Sequence, residues 1–331
     1  MRIASLLASG TEIVCALGLR DRLVGVSHEC DYPPEVRGLP VLTAPRIDPG
    51  ASSLLIDRAV SERAAAGLSL YEIFTERLRR AAPDLIVTQD QCRVCAVSLD
   101  EVKREARLLL GGAARVVSLS PHTLEDALDD VVRVAQAAGI AEEGRRVRAA
   151  LRGRLDRLSS RANCSAGHLE RRPTVACVEW LDPPFLSGHW MPGIVQVAGA
   201  DLVPPPPETP PAPAGGSGQA RRAPRARWEE VAEARPDAIV LMPCGFDLTR
   251  TLAEAPAVLE RPEVRATPAF RSGQIWAVDG NAYFNRSGPR LVESAEILAA
   301  ILHPQTFGPP PAASARRLLA ARPDGPSPRD C

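Results

Sequence analysis

At 331 residues, with 45% hydrophobic and 24% charged side chains, the chain is long enough for two ordinary cores and is neither a disordered nor a membrane-embedded composition. Forty Lys and Arg against forty Asp and Glu give a formal net charge of zero, which leaves no electrostatic footprint for nucleic acid or an anionic membrane surface. Eight cysteines spread over this length are too sparse for a disulfide scaffold and are read as reduced thiols.

The N-terminal stretch MRIASLLASGTEIVCALG divides at SGTE into a short strand and a helix start. It lacks the unbroken apolar run of a secretory signal, and no run in the chain is long enough to span a bilayer. The expected location is cytoplasmic, or periplasmic or otherwise extracytoplasmic if a leader preceded Met1.

RIASLL reads as a strand, and Ser9-Gly-Thr-Glu12 has the S-x-x-E form of a capping box opening a helix that Gly18 closes. LVGVSHE is a second strand and PVLTA a short third. Arg46 to Gly67 has no clear period, after which Leu70, Ile73, Phe74 and Leu78 share one face of a predicted helix. LIVTQ, LDEVKREARLLL and ARVVSLS follow as strand, helix and strand, with Ser98-Leu-Asp-Glu101 as the cap of that helix. This β/α alternation predicts a parallel sheet with helices on both faces.

From Thr123 some forty residues keep helical spacing with hardly a strand former, which predicts one long or gently broken helix. Alternation then resumes through TVACVEW, MPGIVQVAGA, WEEVAEARPD, AIVLMP and QIWAVDG to a closing helix, RLVESAEILAAILH. The expected organisation is an N-terminal α/β lobe over 1–121, a connecting helix over 122–165 and a C-terminal α/β lobe over 172–304. A Pro-, Gly- and Arg-rich run over 204–227 reads as a disordered insertion, and 305–331 as a loose tail. LRRAAPDLIVTQ in the first half matches VAEARPDAIVLM in the second, which supports two related Rossmann-like lobes.

Ligands of open α/β sheets bind beyond the carboxyl ends of the strands. The loops in question carry DQCRVC after one repeat and PCGF after the other, so the cysteines Cys92, Cys95 and Cys244 fall where a ligand is held. Three readings stay open for Cys92 and Cys95. As a redox pair they would serve a thiol-based sensor or enzyme, but both precede the predicted helix cap and gain little from the helix dipole. As half of a metal site they need further ligands, for which Cys30, Cys244, His28 and His189 are scattered candidates. The third reading is a cleft that binds a ligand. Aromatic residues are only 4% of the chain, yet Tyr32, Trp180, Phe185, Trp190, Phe246, Tyr283 and Phe284 all sit at predicted strand ends. No Ser/His/Asp triad, Walker loop or H-E-x-x-H helix argues for catalysis.

Between Arg2 and Pro304 the chain resembles the helical-backbone substrate-binding proteins of ABC importers for iron chelates and cobalamin, most closely the cobalamin-binding members. The resemblance is carried by SLLASGTEIVCALGL, Cys30-Asp-Tyr-Pro-Pro34, APDLIVTQ, Asp182-Pro-Pro-Phe185 with Ser187-Gly188, ARPDAIVLM and Ser287-Gly-Pro-Arg290. It implies a non-catalytic, monomeric protein of two lobes joined by a stiff helix, with cobalamin or a related metal macrocycle gripped in the cleft between them. It places Tyr32, Trp180, Tyr283 and Phe284 on the ligand, puts Gln89 to Gln91 among the cleft residues, and matches Glu101 and Glu229 to acidic residues that dock on an ABC permease. Cys92, Cys95 and Cys244 lie outside the family's motif, as does His189, while Cys30 of the motif is a further metal candidate. They imply a pocket with added thiols and an imidazole toward a metal centre.

Overall fold

The computed structural model describes residues 1–89, 99–110, 114–166, 171–205 and 225–319. The chain divides into two compact units: the first holds Met1–Leu155 and Arg286–Val292, the second the described parts of Asp156–Glu208, Ala223–Asn285 and Glu293–Cys331.

The first unit runs β1 (Ile3–Ser5), α1 (Ala8–Ala16), β2 (Leu23–Val26), β3 (Thr43–Pro45), α2 (Ser53–Ala65), β4 (Tyr71–Ile73), α3 (Thr75–Ala81), β5 (Leu85–Gln89), α4 (Leu99–Leu110), β6 (Arg115–Leu119), α5 (Leu124–Ala137) and α6 (Ala141–Ala166). Its four-stranded sheet is parallel throughout, in the order β2-β1-β5-β6. The central strands β1 and β5 are wholly buried, which is why IAS and LIVTQ carry no alternation and read as continuous apolar runs. Ala4, Leu6, Leu42, Ile73, Leu78, Ile86, Val102 and Ala106 form one core cluster of this unit.

The second unit contains β7 (Thr174–Leu181), β8 (Pro184–Leu186), α7 (Met191–Val197), β9 (Asp201–Leu202), α8 (Trp228–Glu233), β10 (Ala238–Leu241), α9 (Leu248–Leu259), α10 (Pro262–Arg265), α11 (Pro268–Arg271), β11 (Ile275–Val278), α12 (Leu291–Leu302), α13 (Pro304–Phe307) and β12 (Ala315–Arg317). The sheet order is β12-β11-β10-β7-β8, with β9 also on β7. The interior pairs are parallel, and the edge strands β8 and β12 are antiparallel. Each unit is thus the expected α/β layering of a mostly parallel sheet with helices.

Three local expectations change, and two further stretches gain detail. The S-x-x-E motif is not a cap: α1 begins after Leu7 with no side-chain cap bond, and Ser9 and Glu12 are both buried. The helix expected to hold Leu70, Ile73 and Phe74 is instead β4 followed by α3, because Tyr71–Ile73 pairs in register with Thr43–Pro45. Of the two forms expected for the stretch from Thr123, one long or a gently broken helix, the structure has the broken one, α5 and α6. Gly139 ends α5 with φ at 77°, a left-handed conformation that glycine adopts without Cβ strain, and α6 starts at Ala141. Asp182-Pro-Pro-Phe185 is the turn of a β7–β8 hairpin with Leu181 opposite Pro184. The start of the loose tail is ordered, since Ala315–Arg317 pairs with β11 and Arg317 donates to the carbonyls of Gly273 and Ser272 at 2.6 and 3.0 Å. The Pro-rich run over 206–224 and the cap residue Ser98 lie outside the described residues. Among the described residues no helix is long and apolar enough to cross a membrane.

Candidate functional site

In the first unit, β2 ends at Val26 and the loop beyond it carries His28, Glu29, Cys30, Asp31 and Tyr32. Against this loop lies Arg286–Val292, the segment that joins the first unit from far along the chain. Arg286 donates to Asp31 Oδ1 at 2.6 Å, to Glu12 Oε1 at 3.3 Å and to the Glu29 carbonyl at 3.1 Å. Arg290 donates to both oxygens of Glu12, at 3.1 and 2.6 Å. The side chains of Glu12, Arg286 and Arg290 keep only 2%, 7% and 12% of their exposure. Two buried guanidiniums therefore share one buried carboxylate, with Asp31 completing the balance.

Local electrostatics follow from this packing. Burial raises the Asp31 carboxyl, but the hydrogen bond and charge of Arg286 outweigh it and hold the group below the usual carboxylate range. Burial works against the Arg286 charge, yet Asp31 and Glu12 keep it firmly protonated. Glu29 differs: burial of its carboxyl pushes it up to about 7, with Arg286 opposing and Asp31 adding to the rise.

Tyr32 is 43% exposed, and the Arg290 guanidinium sits 4.0 Å from its ring centroid. Among the described residues it is the one aromatic side chain counted with the exposed large apolar groups. His28 is half-buried; its Nδ1 lies 2.7 Å from Thr43 Oγ1, and its ring lies 5.5 Å from that of Tyr71. Gln89 closes β5 and is buried.

The second unit presents its own strand-end loops. After β10, the turn Pro243-Cys244-Gly245 tucks Phe246 beneath Trp180, with ring centroids 5.4 Å apart in an edge-to-face arrangement, and Arg250 covers Phe246 at 3.6 Å. After β11, Gly280–Phe284 forms a π-helical turn. This turn requires glycine at its start, because a Cβ on Gly280 would stand 2.4 Å from the Pro243 carbonyl oxygen. Asn285 fixes the other end by donating to the Met242 and Gly280 carbonyls at 2.8 and 3.0 Å. Trp190 Nε1 donates to the Phe284 carbonyl at 2.9 Å, which ties the loop before α7 to the turn. His189, at φ 53°, holds a left-handed conformation unusual for a side chain with a Cβ, and its ring lies 5.8 Å from that of Trp190.

The expected site residues therefore sort into three groups. Tyr32, His189, Trp190 and Tyr283 are partly or largely accessible at strand-end loops. Phe246 and Phe284, at 1% and 0% exposure, are buried under the loops, and Trp180 at 8% is close to that state. Gln91, Cys92 and Cys95 lie outside the described residues, as does the side chain of Glu101 in α4. Glu229 is exposed in the first turn of α8.

Of the four thiols expected at a metal, Cys92 and Cys95 lie outside the described residues, and the other two are placed as follows. Cys30 is buried with Thr11 Oγ1 3.0 Å from its sulfur, and burial pushes the thiol up to about 12. Cys244 is half-buried, and among the described residues no three His, Cys, Asp or Glu side chains are placed to hold a metal ion. The Glu12, Asp31, Arg286 and Arg290 cluster escaped the sequence reading, because 274 residues separate Glu12 from Arg286 and Glu12 looks locally like a cap. A concavity of about 540 Å³ in the second unit is lined by Leu186, Val203, Pro204, Arg225, Glu230 and Glu233, and not by Trp190, Phe246 or Tyr283.

A family model described as periplasmic binding protein matches residues 3–282. Solved structures share the fold. The periplasmic heme-binding protein HutB of Vibrio cholerae is 20% identical, with a TM-score of 0.65 over 92% of this chain and 99% of that one. A periplasmic heme-binding protein from Pseudomonas aeruginosa is 19% identical, with a TM-score of 0.65 over 92% and 93% of the two chains. The periplasmic vitamin B12 binding protein BtuF of Vibrio cholerae is 21% identical, with a TM-score of 0.59 over 91% and 96%. No curated protein matches the chain.

Proposed function

The chain belongs to the periplasmic binding protein family, and we propose that it retains a metal-containing macrocycle, with a cobalamin-type corrinoid as the first candidate and haem as the second. The family is one of binding proteins, so the role is retention of a ligand rather than catalysis. The observation that carries the ligand class is Tyr32: an exposed ring at a strand end, held by Arg290 on one face, in a chain of few aromatics. Trp190 and Tyr283 supply comparable half-buried rings in the second unit. Flat ligands of large apolar area gain roughly 25 cal/mol per Å² buried on such rings before association costs are subtracted. The haem alternative draws on the structural neighbours whose names specify heme.

The family favours an extracytoplasmic site of action over the cytoplasmic default read from the sequence, and an ABC permease as partner, with the exposed Glu229 and Glu101 of α4 as docking points. A redox role for Cys92 and Cys95 receives no support from the family.

Titration of the purified protein with hydroxocobalamin, cyanocobalamin and haemin, followed by absorption, tests the reading. Saturable one-to-one binding of at least one macrocycle is expected. No binding of any of them at tens of micromolar overturns it.

A further inference from the structure

Resting on that reading, we propose that Thr43 locks His28 in the Nε2–H tautomer and that this N–H donates to an oxygen acceptor, an amide carbonyl or a carboxylate, on the ligand periphery. Thr43 is 1% exposed, so its hydroxyl hydrogen must find an acceptor within the protein. Thr43 Oγ1 already accepts the His28 backbone N–H at 3.2 Å, and its other contact is His28 Nδ1 at 2.7 Å. If Nδ1 carried the proton, Oγ1 would accept twice and leave a buried hydrogen without a partner. The satisfied arrangement has the hydroxyl donating to Nδ1, which puts the ring proton on Nε2.

The rest of the surroundings serve the same end. Burial lowers the imidazole's proton affinity, which keeps the ring neutral. Tyr71, 5.5 Å away and tilted by 38°, flanks the ring. Nε2 has no hydrogen-bond partner among the described residues, and His28 is partly exposed. A fixed, neutral donor thus stands just past the end of β2, where ligands of open α/β sheets are held. Arg286 and Arg290 both pair with Glu12, and Arg286 also with Asp31.

Two measurements test this. Nitrogen-15 NMR of histidine-labelled protein reports the tautomer of each imidazole, and the spectrum of His28→Phe identifies the His28 signals by difference. An Nε2–H neutral ring that loses its fixed tautomer in Thr43→Val is expected, and an Nδ1–H ring in the wild type overturns the lock. Calorimetric titration with hydroxocobalamin, which offers amide carbonyls, and with haemin, which offers carboxylates, identifies the acceptor. His28→Phe should weaken the macrocycle that binds by about tenfold, while His28→Gln, which keeps an N–H, should stay within about threefold of wild type. Equal affinity of wild type and His28→Phe overturns the donor role even if the ligand reading holds. Failure of the wild type to bind either macrocycle removes the ligand reading and the donor role with it, and leaves the NMR result to decide the Thr43 lock alone.

Discussion

Arg286 NH1 stands 3.3 Å from Glu12 Oε1, across 274 residues of sequence, and the same carboxylate oxygen takes Arg290 NH2 at 2.6 Å. Glu12 is thus the anchor by which the Arg286–Val292 segment is held in the first unit. Removing one partner of a buried ion pair leaves uncompensated charge, which typically costs about 3–5 kcal/mol. Glu12→Gln should lower the urea midpoint accordingly and raise amide exchange across residues 286–292. An unchanged midpoint with unchanged exchange would show that the two arginines are satisfied without it.

Gly280 offers a steric test of the second unit. A methyl group there meets backbone, 2.4 Å from the Pro243 oxygen and 2.7 Å from the Met242 carbonyl carbon, so the π-helical turn bearing Tyr283 must move. Gly280→Ala should cost about 1–3 kcal/mol of stability and weaken ligand binding with it. A melting temperature and affinity equal to wild type would contradict the packing described for this turn.

Asp130 predicts a pH dependence. It is fully buried in α5, Oδ2 has no partner among the described residues, and burial pushes the carboxyl up to about 7 despite Arg133. The folded state then holds a proton that the unfolded state releases, so this contribution to stability is complete below about pH 4 and is lost as pH rises to about 7. Asp130→Asn should remove that loss, on the order of 2–4 kcal/mol. Unfolding of wild type and variant at pH 4 and pH 8 checks it: the variant gains on the wild type at pH 8, and parallel curves would refute the assignment.

Tyr32 separates binding from folding. Since 43% of the residue is exposed, Tyr32→Ala should change the melting temperature little while reducing macrocycle affinity by about tenfold or more. Phe246→Ala should do the opposite first, with a loss of about 3–5 kcal/mol of stability from a fully buried ring. Equal behaviour of the two variants would contradict the division between ligand surface and core.

The sheets were legible because buried parallel strands such as LIVTQ and AIVL leave continuous apolar runs bounded by Pro-Asp and polar turns. Local signals misled where long-range packing decided the outcome. Ser9-x-x-Glu12 carries the pattern of a cap, but Glu12 is claimed by arginines from the far end of the chain. Phe246 and Phe284 occupy strand-end positions, yet the turns that follow fold both rings inward, and no periodicity records that. Thr43 is unremarkable in sequence, and His28 stands out there only as a scattered metal candidate; their pairing depends on β3 lying beside the loop after β2.

The most direct test of macrocycle binding is isothermal titration calorimetry of the wild-type chain with hydroxocobalamin over several temperatures. Saturation at one ligand per chain with micromolar or tighter affinity and a negative heat-capacity change, the mark of apolar burial, is predicted. Absence of saturable heat with hydroxocobalamin, and then with haemin, at tens of micromolar protein would contradict it.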